Sequence, residues 1–96
     1  DMKILIEELK NILRTEGFAN VYDWHDEPGV SYEAHAHKDK VTVYIVEGGV
    51  LFRFGEAEIT LVAGARFDVP IGQTHTAVVG PDGCTYVVGE MIERDS

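Results

Sequence analysis

The chain has 96 residues, 45% of them hydrophobic, and its 8 basic against 17 acidic side chains give a net charge of −9. That length suits one small domain with its own core, and the charge repels both a phosphate backbone and an anionic bilayer, so no nucleic-acid or membrane partner is expected. The single cysteine, Cys84, allows no internal disulfide, and no signal-peptide pattern or long apolar run is present, which points to a soluble cytoplasmic protein.

From Met2 to about Glu16, apolar residues fall at Met2, Leu5, Ile6, Leu9, Ile12 and Leu13, the three-and-four spacing of one helix face. Gly17 follows as a stop. Two uses of this stripe stay open, a cover for one side of a sheet and a contact between subunits.

Beyond Gly17 the period shortens. Runs rich in β-branched and aromatic residues predict strands over Ala19 to Trp24, Ser31 to His37, Val41 to Glu47, Val50 to Gly55, Glu58 to Val62, Arg66 to Val69, His75 to Val79 and Thr85 to Ile92. Breaks are expected at Pro28-Gly29, Gly48-Gly49, Gly64, Pro70 to Gly72 and Gly80 to Gly83. Short strands at regular spacing imply an antiparallel sandwich or barrel, so residues 1–17 are read as a helix packed on a barrel of residues 18–96. Alternation places Val50, Phe52 and Phe54 inside and Arg53 outside.

Side chains two apart on a strand share a face, so His35 and His37 project together. His75 closes a Pro-x-Gly-x-x-His turn that can bring it alongside them. Neutral imidazole is a common ligand of first-row transition metals, so the three form a candidate metal site. Glu33 lies two residues before His35 and, on a regular strand, shares its face as a candidate base, a partner that orients a histidine, or a fourth ligand, whereas a twist or bulge would turn it to solvent. His25 falls in the acidic segment Asp23 to Glu27 and reads as a surface residue. Phe52 and Phe67 are candidates for either cavity wall or ordinary core, and Cys84 reads as structural.

The chain resembles the cupin superfamily, small double-stranded β-helix barrels of jelly-roll type. Gly29, His35, His37 and Gly48 fall on the spacing of the first cupin motif, and Gly64, Pro70, Gly72 and His75 on that of the second. The position of the first motif's glutamate holds Val41, and that of the second motif's terminal asparagine holds Val79. The chain therefore looks like a three-histidine variant without the motif glutamate.

The resemblance implies an all-β, double-stranded β-helix barrel with one N-terminal α-helix. It also implies a divalent transition metal, iron, nickel, zinc or copper, on His35, His37 and His75. The expected function is a metal-binding small cupin that holds a small anionic or sugar-like organic ligand. An iron(II)-dependent three-histidine dioxygenase acting on a chelating small molecule is the alternative, and a metal-free isomerase or structural module a further one. Cupins of this size commonly pair, so a homodimer is expected.

Overall fold

A computed structural model describes residues 1–91. Its elements are α1 (Met2–Thr15), β1 (Asn20–Asp26), β2 (Ser31–His35), β3 (Val41–Phe54), β4 (Ala57–Val62), β5 (Arg66–Val69) and β6 (His75–Glu90). The all-β barrel with one N-terminal helix is the architecture expected from the sequence. Among the described residues no helix is long and apolar enough to cross a membrane.

Local chemistry sets both ends of α1. The Asp1 carboxylate accepts the Ile4 N–H at 3.0 Å, satisfying one of the amides that the first turn leaves without a partner. At the other end the Gly17 N–H donates to the Arg14 carbonyl and the Phe18 N–H to the Leu13 carbonyl, at 3.0 and 3.2 Å. That pair of bonds, with glycine at positive φ and Phe18 folded back on Leu13, is a Schellman stop. Leu13 and Phe18 bury with Val87, flanked by Ile6, Leu9, Val21, Tyr44 and Val46, so the helix covers the outer face of the sheet. Met2, Leu5 and Ile12 of the same stripe stay exposed. Arg66 adds a polar tie, donating to both Glu16 oxygens at 2.7 Å and to the Tyr44 hydroxyl at 2.9 Å.

The barrel has two leaves that share the long strands β3 and β6. In the first, β1 pairs with Cys84 to Glu90 of β6, which pairs with Val41 to Gly48 of β3, whose first residues pair with β5. In the second, β2 pairs with the His75 end of β6, which pairs with Val50 to Arg53 of β3, and β4 closes the far edge. Two expected breaks are therefore absent. Gly48-Gly49 and Gly80 to Gly83 do not end strands; they are the places where β3 and β6 change leaf, with the register shifting between Ile45 and Glu47 and again between Gly48 and Val50.

Those shifts reverse the inward parity. Val41, Val43 and Ile45 point inward before the crossing and Val50 and Phe52 after it; on β6 the inward sets are His75, Ala77, Val79 and then Cys84, Tyr86, Val88. Arg53 faces solvent, paired with Glu58 at 2.7 Å. β2 stops at His35 rather than His37, and β6 at Glu90; Ile92, the expected end of the last strand, lies outside the described residues.

Gly48 makes the crossing sterically possible. It has φ +77°, and a Cβ there would lie 2.0 Å from the Gly83 carbonyl oxygen, whereas Gly64 at φ +95° has open space around it. Alanine at either position incurs the left-handed penalty of about 1–2 kcal/mol. Gly48→Ala is therefore expected to lower unfolding stability in urea by at least about 2 kcal/mol more than Gly64→Ala, because only the former forces the leaves apart. Equal losses would show that the close approach at the crossing is not limiting.

Candidate metal centre and cavity

His35 and His75 are Cα partners across the β2–β6 ladder, and His37 follows just past the strand end. The Gly72 N–H donates to the His37 carbonyl at 2.9 Å, so the Pro70-Ile71-Gly72 turn is tied directly to the His-x-His segment. The rings gather accordingly, with centroid separations of 5.0 Å for His35–His37, 4.4 Å for His35–His75 and 5.2 Å for His37–His75. One ligand atom from each lies within 4.8 Å of the others. His75 is buried, His37 half-buried and His35 exposed, so the cluster sits at the barrel rim and opens to solvent on one side.

Two of the rings are set in a defined tautomer. His35 Nδ1 lies 2.7 Å from the Glu33 carbonyl oxygen and His75 Nδ1 lies 3.1 Å from that of Gln73. A carbonyl can only accept, so each Nδ1 carries the hydrogen and donates, leaving the Nε2 lone pair as the ring's ligand atom. This is the backbone-anchored arrangement that orients metal-binding histidines. Phe52 and Phe54 pack on the His75 ring, at 5.8 and 5.0 Å between centroids, and fix its plane further. The donor set therefore fits a divalent transition ion.

Behind the cluster lies a cavity of about 580 Å³ with mostly apolar walls, lined by residues of both leaves. Phe52 is part of this lining. Phe67 packs against Phe52 in the core with ring centroids 5.6 Å apart and does not line the cavity. Val41, at the motif's acidic position, is buried and also lines the cavity.

The comparisons bear on this arrangement. No family model matches the chain, and no curated protein matches it. Solved structures do. A cupin-2 domain-containing protein from Shewanella frigidimarina superposes with TM-score 0.62 and 23% identity, over 71% of this chain and 65% of its own. An RmlC-like cupin from the same organism superposes with TM-score 0.68 and 25% identity, over 82% and 71%. The chain has the fold of a small cupin. It thus spans just under two thirds of the first of these relatives. Bacillus subtilis oxalate decarboxylase, in a variant form, superposes with TM-score 0.65 and 19% identity over 73% of this chain but only 20% of the larger one.

Of the two placements open for Glu33, the structure shows the solvent-facing one. A bulge between Tyr32 and His35 breaks the alternation that would put Glu33 on the His35 face. Tyr32 and His35 line the cavity, whereas the Glu33 side chain is exposed and outside the lining. What Glu33 supplies is its backbone carbonyl, which holds His35. His25 is on the surface as expected, between Thr85 Oγ1 at 2.8 Å and Glu27 at 3.0 Å.

Sequence reading missed two buried carboxylates. Asp26 is 6% exposed and accepts from Trp24 Nε1 at 3.0 Å, from the Tyr32 hydroxyl at 2.7 and 2.8 Å, and from the Tyr86 hydroxyl at 3.0 Å. All three donors line the cavity, so Asp26 braces its aromatic wall from behind. Burial and this carboxylate push the Tyr32 phenol up to about 12. Glu90 lines the cavity itself and accepts from Asn20 Nδ2 at 2.8 Å and the Tyr22 hydroxyl at 3.0 Å. Its signal was present in the sequence: it shares parity with Tyr86 and Val88, a charged residue in an otherwise inward, apolar alternation.

Asp26→Asn leaves one acceptor oxygen where two served three donors, and is expected to cost about 1–3 kcal/mol in a urea titration and to shift Trp24 fluorescence. An unchanged midpoint and spectrum would show that the brace is dispensable. Cys84 is 1% exposed and burial pushes its thiol up to about 11. A maleimide at pH 8 should therefore modify Cys84 only after denaturation, as read by mass spectrometry; rapid labelling of the native protein would contradict a structural role.

Proposed function

We propose that this cupin binds one divalent transition metal through His35, His37 and His75 and uses it to hold a small anionic, chelating organic molecule in the cavity. The single observation that carries the reading is the anchoring of His35 and His75 Nδ1 on backbone carbonyls, which commits both Nε2 atoms to the cluster. Three neutral imidazoles suit iron, nickel, zinc and copper alike, so ligand type does not select among them. Such an ion supplies Lewis acidity, a positive charge that the three ligands do not cancel, and open coordination positions.

The ligand class follows from charge. With apolar Val41 at the motif's acidic position, an anion entering the cavity meets no carboxylate from that residue. The apolar walls keep the local dielectric low and strengthen the attraction between ligand and ion. Among the structural relatives is an enzyme named for oxalate, a chelating dianion, which supports this class. The same neutral ligand set favours one further reading, an iron(II)-dependent dioxygenase acting on a chelating substrate; oxygen uptake by iron-loaded protein above a His35→Ala, His37→Ala control is the result it requires.

Metal binding is tested on protein purified without chelators. Metal analysis should find close to one ion per chain. Adding nickel or zinc at about 100 times the dissociation constant should stabilise the fold by about 2.7 kcal/mol, a rise of roughly 10 °C or more in Tm for a domain of this size. His75→Ala should abolish the rise. Reproducible absence of metal, together with no gain in Tm on adding iron, nickel, copper or zinc, sinks the proposal.

A further inference from the structure

Among the described residues that line the cavity, three are exposed: Trp24 on β1, and Tyr32 and His35 on β2. Both strands are edges that pair with β6 alone, so the chamber meets solvent beside them, with one of the three histidines at the opening. Trp24 is 55% exposed and Tyr32 37%. Large aromatic side chains that line a cavity and still face water are surface held ready for a ligand, since packing has not covered them.

Asp26 fixes both rings. Trp24 Nε1 and the Tyr32 hydroxyl donate to the same oxygen, Asp26 Oδ1, at 3.0 and 2.8 Å, and the Tyr86 hydroxyl donates to Oδ2 at 3.0 Å. The buried acid thereby ties a tryptophan of the first leaf to a tyrosine of the second. An indole has one N–H and a phenol one O–H, and all three hydrogens are engaged there. This wall therefore meets a ligand with ring carbon and donates no hydrogen bond to it. Register sets its distance from the metal centre: Tyr32 pairs with Ala77 and His35 with His75, two residues apart on β6, which is roughly 7 Å along the strand. An aryl ring attached directly to a chelating head spans a distance of that order.

We infer that Trp24 and Tyr32 form a stacking platform at the cavity mouth for the flat ring of an aryl acid whose chelating head is on the ion held by His35, His37 and His75. This rests on the metal-binding reading above, and it narrows the ligand from any small chelating anion to one with an unsaturated ring beside the chelating head. The face of an aromatic ring is negative and its edge positive, so the platform repels a carboxylate and attracts a second ring in an offset or edge-on contact. Head and ring are thus sorted, the anion to the cation and the ring to Trp24 and Tyr32. A hydroxylated chain gains less from a wall that donates no hydrogen bond.

Mandelate and its saturated counterpart hexahydromandelate carry the same 2-hydroxycarboxylate head and differ in whether the ring is flat. Both are titrated calorimetrically into zinc-loaded protein, after the zinc affinity of each variant has been measured. Wild-type protein should bind mandelate about fivefold more tightly, whereas a merely apolar pocket would hold the saturated ring at least as well. Trp24→Leu and Trp24→Phe both remove the bond to Asp26, so a difference between them reports the ring itself. Trp24→Leu should bring the ratio close to one and Trp24→Phe should keep most of it, with zinc affinity unchanged in both. If wild-type protein binds no zinc, the metal-binding reading fails and this inference with it. If zinc binds but the wild-type ratio is near one, or the two variants behave alike, the platform alone is overturned. Should Trp24→Leu fail to fold, the emission of Trp24, the chain's single tryptophan, decides in the wild-type protein. A blue shift with mandelate and none with lactate, which has the same head and no ring, is the expected result, and equal responses to the two overturn the platform.

Discussion

The pairing of β3 with β6 runs through both leaves, and because side chains alternate along a strand, each change of leaf carries a change of inward parity. The glycines absorb that change. Gly48 lets β3 pass the Gly83 carbonyl at a distance no side chain permits, and the Gly80 to Gly83 excursion does the matching work on β6. Without the shift one half of each long strand would turn its apolar residues outward. With it, Val41 and Phe52 face one chamber from opposite leaves, and His75 enters that chamber at the start of β6.

At the rim the same backbone that builds the barrel orients the imidazoles. His35 and His75 each take a carbonyl two residues earlier in their own chain, so ring orientation follows from local strand geometry rather than from a remote acid. The Gly72 amide on the His37 carbonyl then couples the two histidine-bearing segments. Three ring nitrogens in such proximity gain little from one another, since neutral imidazoles share no charge attraction. Their convergence beside Phe52 and Phe54 has a direct physical rationale if a cation supplies the attraction.

The sequence carried much of this. Histidine spacing, the glycines of both motifs and the apolar alternation were enough to anticipate the barrel, its N-terminal helix and the three-histidine cluster, but not which surface the helix stripe covers. What could not be read were the places where regular alternation fails. For Glu33 a period of two pointed to the His35 face and a twist or bulge to solvent, and the bulge that decides between them is marked by no distinctive residue type. Gly48-Gly49 and Gly80 to Gly83 looked like turns because glycine marks sharp bends; whether a bend ends a strand or carries it to another leaf depends on a partner strand more than thirty residues away. For Phe67 the core reading holds and the cavity-wall reading does not; which of the two applies depends on β5 pairing with β3, a long-range contact.

The two buried carboxylates show how burial alone does not define function. Asp26 is enclosed by a tryptophan and two tyrosines whose donors converge on it, and its own side chain is absent from the cavity lining. Desolvation of the acid is offset there by bonds that also lock aromatic walls in place, which is a structural use of charge. Glu90 has a comparable exposure, 9% against 6%, yet it faces the chamber beside Val41. The difference is one of register: Asp26 sits behind the aromatic wall, whereas Glu90 keeps its place in the inward row with Tyr86 and Val88, so its charge is part of the field inside the chamber.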